Sequence, residues 1–333
     1  MSNCFRMVRS GKKEKKSIDR NGKADCYNFG GFLEMYRMTP EEKSYLEQYN
    51  IEDYDRPSIA TDIAIFSILE EGEQDNFRKL PERALKILLI KRAAYPYKDC
   101  WALPGGFCRQ GEDVLETAKR ELYEETSVEN AYLQLAGIFG EKDRDPRGWI
   151  ISHTYMALFD GKNQKLRAGS DAWEAKWFTV GLSIKEQEKT IEQDQVHLST
   201  LYELVLSHEE SGICFRIQVR EHKEFVQYHE KVQYEWISGE GMAFDHGKII
   251  VHTLLQLRKQ AKHDLRLAFD LVPEYFTLAQ LQRTFELILD EKLITPNFRR
   301  KIADYVLETE KFVEGEGHRP AKLFKRNVEA FYS

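Results

Sequence analysis

The residues best suited to chemistry lie in one run, Arg120-Glu121-Leu122-Tyr123-Glu124-Glu125-Thr126, downstream of Gly106 and Glu112. On a helix, positions i, i+3 and i+4 are neighbours, so Glu121, Glu124 and Glu125 share a face. Three clustered carboxylates repel one another unless a cation sits among them. A hard divalent ion, Mg²⁺ (or Mn²⁺), suits such oxygen ligands, and substrate phosphates can complete its coordination. Arg120 and Glu112 can brace the intervening loop by a salt bridge. A solvated acidic face is the commoner meaning of a charge run, so the spacing must carry the argument.

Two other groups could bind phosphate. Asp143-Arg144-Asp145-Pro146-Arg147-Gly148 reads as a turn with two guanidinium groups suited to bidentate contacts. Near the carboxy terminus, Arg299, Arg300 and Lys301 fall in the first turn of a helix predicted over Phe298–Leu307. Cations there oppose the helix dipole unless an anion lies nearby. A preceding helix, Leu278–Leu289, carries a Thr277/Gln280 capping box, and the turn Leu293–Asn297 separates the two. This is the pattern of a helix-turn-helix, whose second helix enters the major groove. A hairpin over Val313–Phe324, with His318 and Arg319 near its tip, supplies a basic wing. A helical oligomerisation domain with merely solvated charges is the competing reading.

The elements that must position these groups are legible too. Asp113 as N-cap with Glu116 as its partner predicts a helix over Val114–Thr126, with Leu115, Ala118 and Leu122 packed on a sheet. Strands are predicted over Ser58–Leu69, Ala84–Lys91, Tyr132–Phe139, Ile150–Phe159 and Trp173–Phe178. Thr39-Pro40-Glu41-Glu42 opens a short helix. Residues 1–34 form a basic tail expected to be disordered, and 35–56 an N-terminal helix and lead-in. Residues 184–241 read as an insertion holding a β-hairpin, Leu201–Leu206 with Ile213–Arg220, and 242–262 as a connecting helix.

The 333 residues exceed one ordinary domain. With 49 basic and 55 acidic residues the net charge is −6, which excludes a generally basic nucleic-acid coat but not a local reading surface. Apolar runs such as Ile63–Leu69 are too short for a membrane span. Five cysteines, without paired metal-ligand spacing, fit reduced thiols of a cytoplasmic protein.

The glutamate run resembles the Nudix box, G-x5-E-x7-R-E-U-x-E-E-x-G-U, at Gly106, Glu112, Arg120, Glu121, Leu122, Glu124, Glu125 and Val128. Six fixed matches at roughly one in fifteen each arise by chance about once in ten million positions. Ser127 stands where the family has Gly, which relieves a backbone constraint after the helix. Met242-Ala-Phe-Asp-His246, Ala268–Pro273, Asn297–Lys301 and Gly317–Leu323 are similar to the Nudix-related transcriptional regulators. The resemblance implies an α/β fold: a Nudix α/β/α sandwich over 57–183 and a winged helix over 263–326.

It further implies cleavage of the pyrophosphate of an ADP-ribose-like nucleotide. Glu121 and Glu125 would be the main metal ligands, with Glu124 supporting. Asp171, Glu174 or Glu141 would be the base, and Arg144, Arg147, Gly105 and Gly106 would face substrate. The alternative is a non-catalytic, ADP-ribose-sensing regulator of NAD or sugar metabolism. The expected partners are that nucleotide, DNA through Arg299, Arg300, Lys301, His318 and Arg319, and a second copy in a homodimer; no membrane is expected.

Overall fold

The computed structural model describes residues 38–71, 82–128, 131–161, 172–192, 195–226, 229–313 and 320–331. The expected basic tail, Asp171, His318 and Arg319 lie outside the described residues. The chain divides into two compact units, residues 1–55 and 56–333. In the first, α1 (Pro40–Gln48) starts at a complete Thr39/Glu42 capping box.

The second unit is built on one sheet. Its strands are β1 (Ser58–Glu70), β2 (Arg83–Arg92), β3 (Trp101–Ala102), β4 (Gly105–Phe107), β5 (Tyr132–Phe139) and β6 (Ile150–Leu158), continued by β7 (Ala172–Glu192), β8 (Gln195–His208), β9 (Ile213–Val226) and β10 (His229–Ser238). The order is β10-β9-β8-β7-β2-β1-β6-β5, with β3 on β2 and β4 on β1. β1 and β6 run parallel, Ser58 opposite Ile150 through Phe66 opposite Leu158.

Side-chain alternation along β1 divides the two faces. Ile63 and Ile65 pack with Ala118 and Leu122 of α2 (Val114–Thr126), while Ala64, Phe66 and Ile68 join a second cluster. That second cluster is covered by α3 (His246–His263) through Ile249, Ile250, Leu254 and Leu257. The helix expected to be a connector is therefore the sandwich's second layer. Leu115, expected in the core, is exposed; the helical face narrows to Ala118 and Leu122.

The segment expected as an insertion continues the sheet. β8 and β9 do form a hairpin, but β7 runs through the expected limit at residue 183, pairing with β2 up to Thr179 and with β8 from Thr179 onward. Leu182, Leu204, Leu206, Ile217 and Val219 join the α3-facing core.

The same core runs on into the carboxy-terminal part: α4 (Arg266–Phe269), α5 (Leu278–Leu289), α6 (Thr295–Ile302), β11 (Val306–Phe312) and β12 (Lys322–Arg326). α5 begins at the expected Thr277/Gln280 capping box. The second helix is shorter and earlier than expected: Pro296 lies in its first turn, a short 3₁₀ turn follows at Ala303–Tyr305, and Val306 and Leu307 belong to β11. Arg299, Arg300 and Lys301 thus occupy the last turn of α6, where cations complement the dipole. The dipole conflict inferred from sequence does not exist.

Candidate ligand cleft

A cleft of about 470 Å³ opens where β1, β4, α2, the 144–150 turn and the start of α3 meet. Glu121, Glu124 and Glu125 line it together with Asp62, Gly105, Gly106, Arg144, Arg147, Phe244 and His246. Asp113 and Glu116 cap α2 reciprocally and set its entry. At its other end Ser127 adopts φ 58°, ψ 21°, and its N–H donates to the Tyr123 carbonyl at 2.8 Å. That left-handed geometry explains a glycine at this position of the motif; here a serine bears it.

Arg120 is the hub of the box. Its Nε donates to Glu112 Oε1 at 2.8 Å, Nη2 to Glu112 Oε2 at 3.0 Å and to the Phe107 carbonyl at 3.2 Å. Nη1 reaches Glu121 Oε1 and, at 3.4 Å, Glu124 Oε2. The Arg120 hydrogen bond holds Glu112 down to about 2. Glu121 moves the other way, pushed up by burial and only partly countered by Arg120. Gly106 makes the approach of Glu121 feasible, because a Cβ there would stand 2.2 Å from Glu121 Oε1. A Cβ on Gly105 would stand 2.2 Å from the Thr61 carbonyl oxygen, so β4 can lie against β1 only with glycine at this position.

This donor set suits a hard divalent cation: Glu121 and Glu125 are buried and Glu124 is exposed, all on one cleft wall. Among the described residues no three carboxylates or imidazoles already stand at metal-holding distance, and the Arg120 guanidinium bridges Glu121 and Glu124. A bound cation would take oxygens from that guanidinium.

The two arginines of the turn differ from the free phosphate forks expected. Arg144 is buried at 4% side-chain exposure; its Nε and Nη2 donate to Asp245 at 2.9 and 2.7 Å, and Nη2 lies 3.5 Å from Asp62. Burial opposes its charge, but the Asp245 hydrogen bonds and the charges of Asp245, Asp62 and Asp145 outweigh this and raise its pKa. Arg147 pairs with Asp145 at 2.7 Å and covers the rings of Phe107 and Phe244. Of the expected bases, Glu141 pairs with Lys248 of α3. Glu174 pairs with Lys176 at 2.7 Å, and sits opposite Lys91, so the pleat turns it away from the face of the cleft residue Ile90. Neither joins the glutamate cluster.

Asp62, Phe244 and His246 line the cleft without being expected there, and Asp245 holds the cleft residue Arg144. The available signal was Asp245-His246 just before an apolar helical run, an N-cap pattern. The Leu103 N–H donates to His246 Nδ1 at 2.8 Å, so that nitrogen is unprotonated and Nε2 faces Asp62 at 3.5 Å. Burial lowers the His246 pKa against the opposing pull of Asp62 and Asp245. Below the ordinary value near 6.5 a buried neutral histidine takes up a proton on unfolding, so its stabilising contribution is complete above that value and is lost as pH falls below it. Thermal unfolding followed from pH 8 to 5 should therefore show a steeper loss of Tm for wild type than for His246→Gln; parallel curves would contradict this assignment.

Comparisons with known proteins match this architecture. The NUDIX domain profile matches residues 76–201, and the profile for the NrtR DNA-binding winged helix domain matches residues 268–325. An ADP-ribose pyrophosphatase of Methanocaldococcus jannaschii is 38% identical over 166 residues, 50% of this chain and 85% of that enzyme. The chain belongs to the Nudix family. More particularly, it joins a Nudix domain to an NrtR-type winged helix DNA-binding domain. The ADPR responsive transcriptional repressor NtrR of Acinetobacter baylyi is 29% identical over 287 residues, 85% of this chain and 88% of the repressor. The crystal structure of Shewanella oneidensis NrtR shares the fold, with a TM-score of 0.52 at 23% identity, covering 81% of this chain and 94% of that one.

Proposed function

We propose that the chain is a homodimeric DNA-binding regulator that reads ADP-ribose, or a close nucleoside diphosphate relative, in its Nudix cleft. One observation carries the reading: a single helix, α3, is anchored at both ends to the parts that must communicate. At its start Asp245 holds Arg144, His246 accepts from Leu103, and Lys248 pairs with Glu141. At its end Arg258 pairs with Asp290 at 3.1 Å, Lys262 with Glu291 at 3.0 Å, and Lys301 of α6 donates to the Lys262 carbonyl at 3.3 Å. The similarity to an ADPR responsive repressor along most of both chains supports the same reading. A ligand shifts an equilibrium only by its differential affinity for two states. Saturating ADP-ribose should therefore change affinity for the operator by about 5- to 150-fold. Equal affinity by fluorescence anisotropy, with and without ligand, would refute the regulatory reading.

Hydrolysis is the second reading, favoured by the intact Glu121, Glu124 and Glu125 on the cleft wall and by the similarity to an ADP-ribose pyrophosphatase. Glu121 and Glu125, aided by Glu124, would hold Mg²⁺. That ion, when bound, polarises a phosphoryl oxygen and lowers the pKa of a bound water. Glu112 keeps Arg120 in place, and Gly106 keeps the wall open beside Glu121. Sensing and turnover are compatible, since a slow hydrolase would reset its own signal.

A further inference from the structure

The Arg144–Asp245 pair joins two groups that each have another natural partner. Arg144 lines the cleft with the glutamates, yet its guanidinium is held two-pronged by Asp245. Asp245 occupies the N-cap position of α3, where a carboxylate ordinarily accepts from the helix's own first-turn amides. Its side chain makes no capping hydrogen bond. The backbone on the approach to this pair is unusual as well. Phe244 has φ 52° and Gly241 φ 88°, and the Phe244 ring is held among Tyr97, Arg92 and Arg147. A left-handed phenylalanine persists only where surrounding contacts over-determine it.

We propose that Arg144 is a ligand-operated latch, passing from Asp245 to the diphosphate of a nucleotide entering the cleft and so releasing Asp245 to cap α3. This rests on the reading of the cleft as a nucleoside diphosphate site and names how that site acts on the helix. A diphosphate offers more negative charge and the same two-pronged acceptor geometry as the carboxylate it replaces. Loss of the Asp245 anchor frees the 241–245 backbone to relax, and the start of α3 moves with it. Gly247, packed so closely that a Cβ would stand 2.5 Å from the Trp236 ring, transmits the displacement to β10. Asp62, 3.5 Å from Arg144, remains as a counter-ion in both states.

The test uses the full chain and two probes that cannot be cleaved, α,β-methylene-ADP-ribose and methylenediphosphonate. Each is titrated calorimetrically into wild type, Asp245→Asn and Asp245→Ser. Both variants remove the competing charge while keeping a side chain able to cap, and circular dichroism checks their folding. The latch requires every probe that binds wild type to bind the variants more tightly, by about tenfold, within the usual range of coupling between sites. It also requires the ligand-free variants to show the DNA affinity of liganded wild type. Unchanged probe affinity in folded variants overturns the latch and leaves the nucleotide reading standing. Binding of methylenediphosphonate alone, tighter in the variants, upholds the latch and removes ADP-ribose as its ligand. Failure of both probes to bind wild type overturns both. Hydrogen exchange of residues 241–249 in wild type gives a reading independent of the variants: the latch requires it to change on ligand addition, and no change overturns it.

Discussion

Replacing Arg299 and Arg300 together by alanine is expected to weaken operator binding by about tenfold or more and to flatten its salt dependence by about 1.8 units in the log–log slope, about 0.9 for each phosphate no longer neutralised. Both side chains are exposed in the last turn of α6, with Arg300 donating weakly to Asn297 at 3.4 Å. Lys301 is kept because its ammonium anchors the end of α3, and removing it would confound affinity with coupling. Lys119→Ala, on the exposed face of α2, serves as the control and should leave the slope unchanged. An electrophoretic or anisotropy series between 50 and 300 mM salt, to order of magnitude the range in which counterion release dominates, decides the matter. Equal slopes for wild type and the double variant would remove α6 from the DNA surface.

The second large effect is expected at the glutamates. Glu121→Gln and Glu125→Gln preserve shape but remove the charge that a divalent ion needs. If the cleft hydrolyses ADP-ribose, each should lower AMP release by about a thousandfold, about 4 kcal/mol of lost transition-state stabilisation. Folding should survive, since neither change opens a cavity. AMP release by liquid chromatography, with Mg²⁺ and then Mn²⁺, is the readout. A wild type without turnover on any nucleoside diphosphate would leave sensing as the whole function, and wild-type turnover in the variants would move the metal elsewhere.

Much of this molecule was legible because local rules and tertiary packing agree. The α2 capping box, the alternation along β1 and the Thr277/Gln280 cap all specify their elements without help from distant residues. The glutamate face was legible because its residues are close in sequence. What stayed hidden was decided at long range. The pairing of Arg144 with Asp245 was not legible because the two lie 101 positions apart. β7 looked like a six-residue strand because its second half, rich in Lys, Glu and Gln, has weak β-propensity and is held by its ladder with β8. The sequence pattern starts α6 at Phe298 and ends it at Leu307, whereas the helix runs from Thr295 to Ile302, since Pro296 fits a turn as well as the first helical turn it occupies. That slip changed the sign of the dipole argument for three cations.

The continuous apolar core also bears on how the chain comes apart. Phe66 and Leu89 of the sheet, Leu254 of α3, and Phe285, Phe298 and Ile302 of the winged helix belong to one buried cluster. Among the described residues, the apolar core thus runs from the sheet through α3 into the winged helix, and the two modules are expected to unfold together. Mass action then reaches across the whole unit. A nucleotide at a hundred times its Kd adds about 2.7 kcal/mol to the unfolding free energy of everything that shares the core, α6 included. Conversely, a core substitution as far from the cleft as Phe298 is expected to lower the stability of the same unit that carries Arg144 and Asp245.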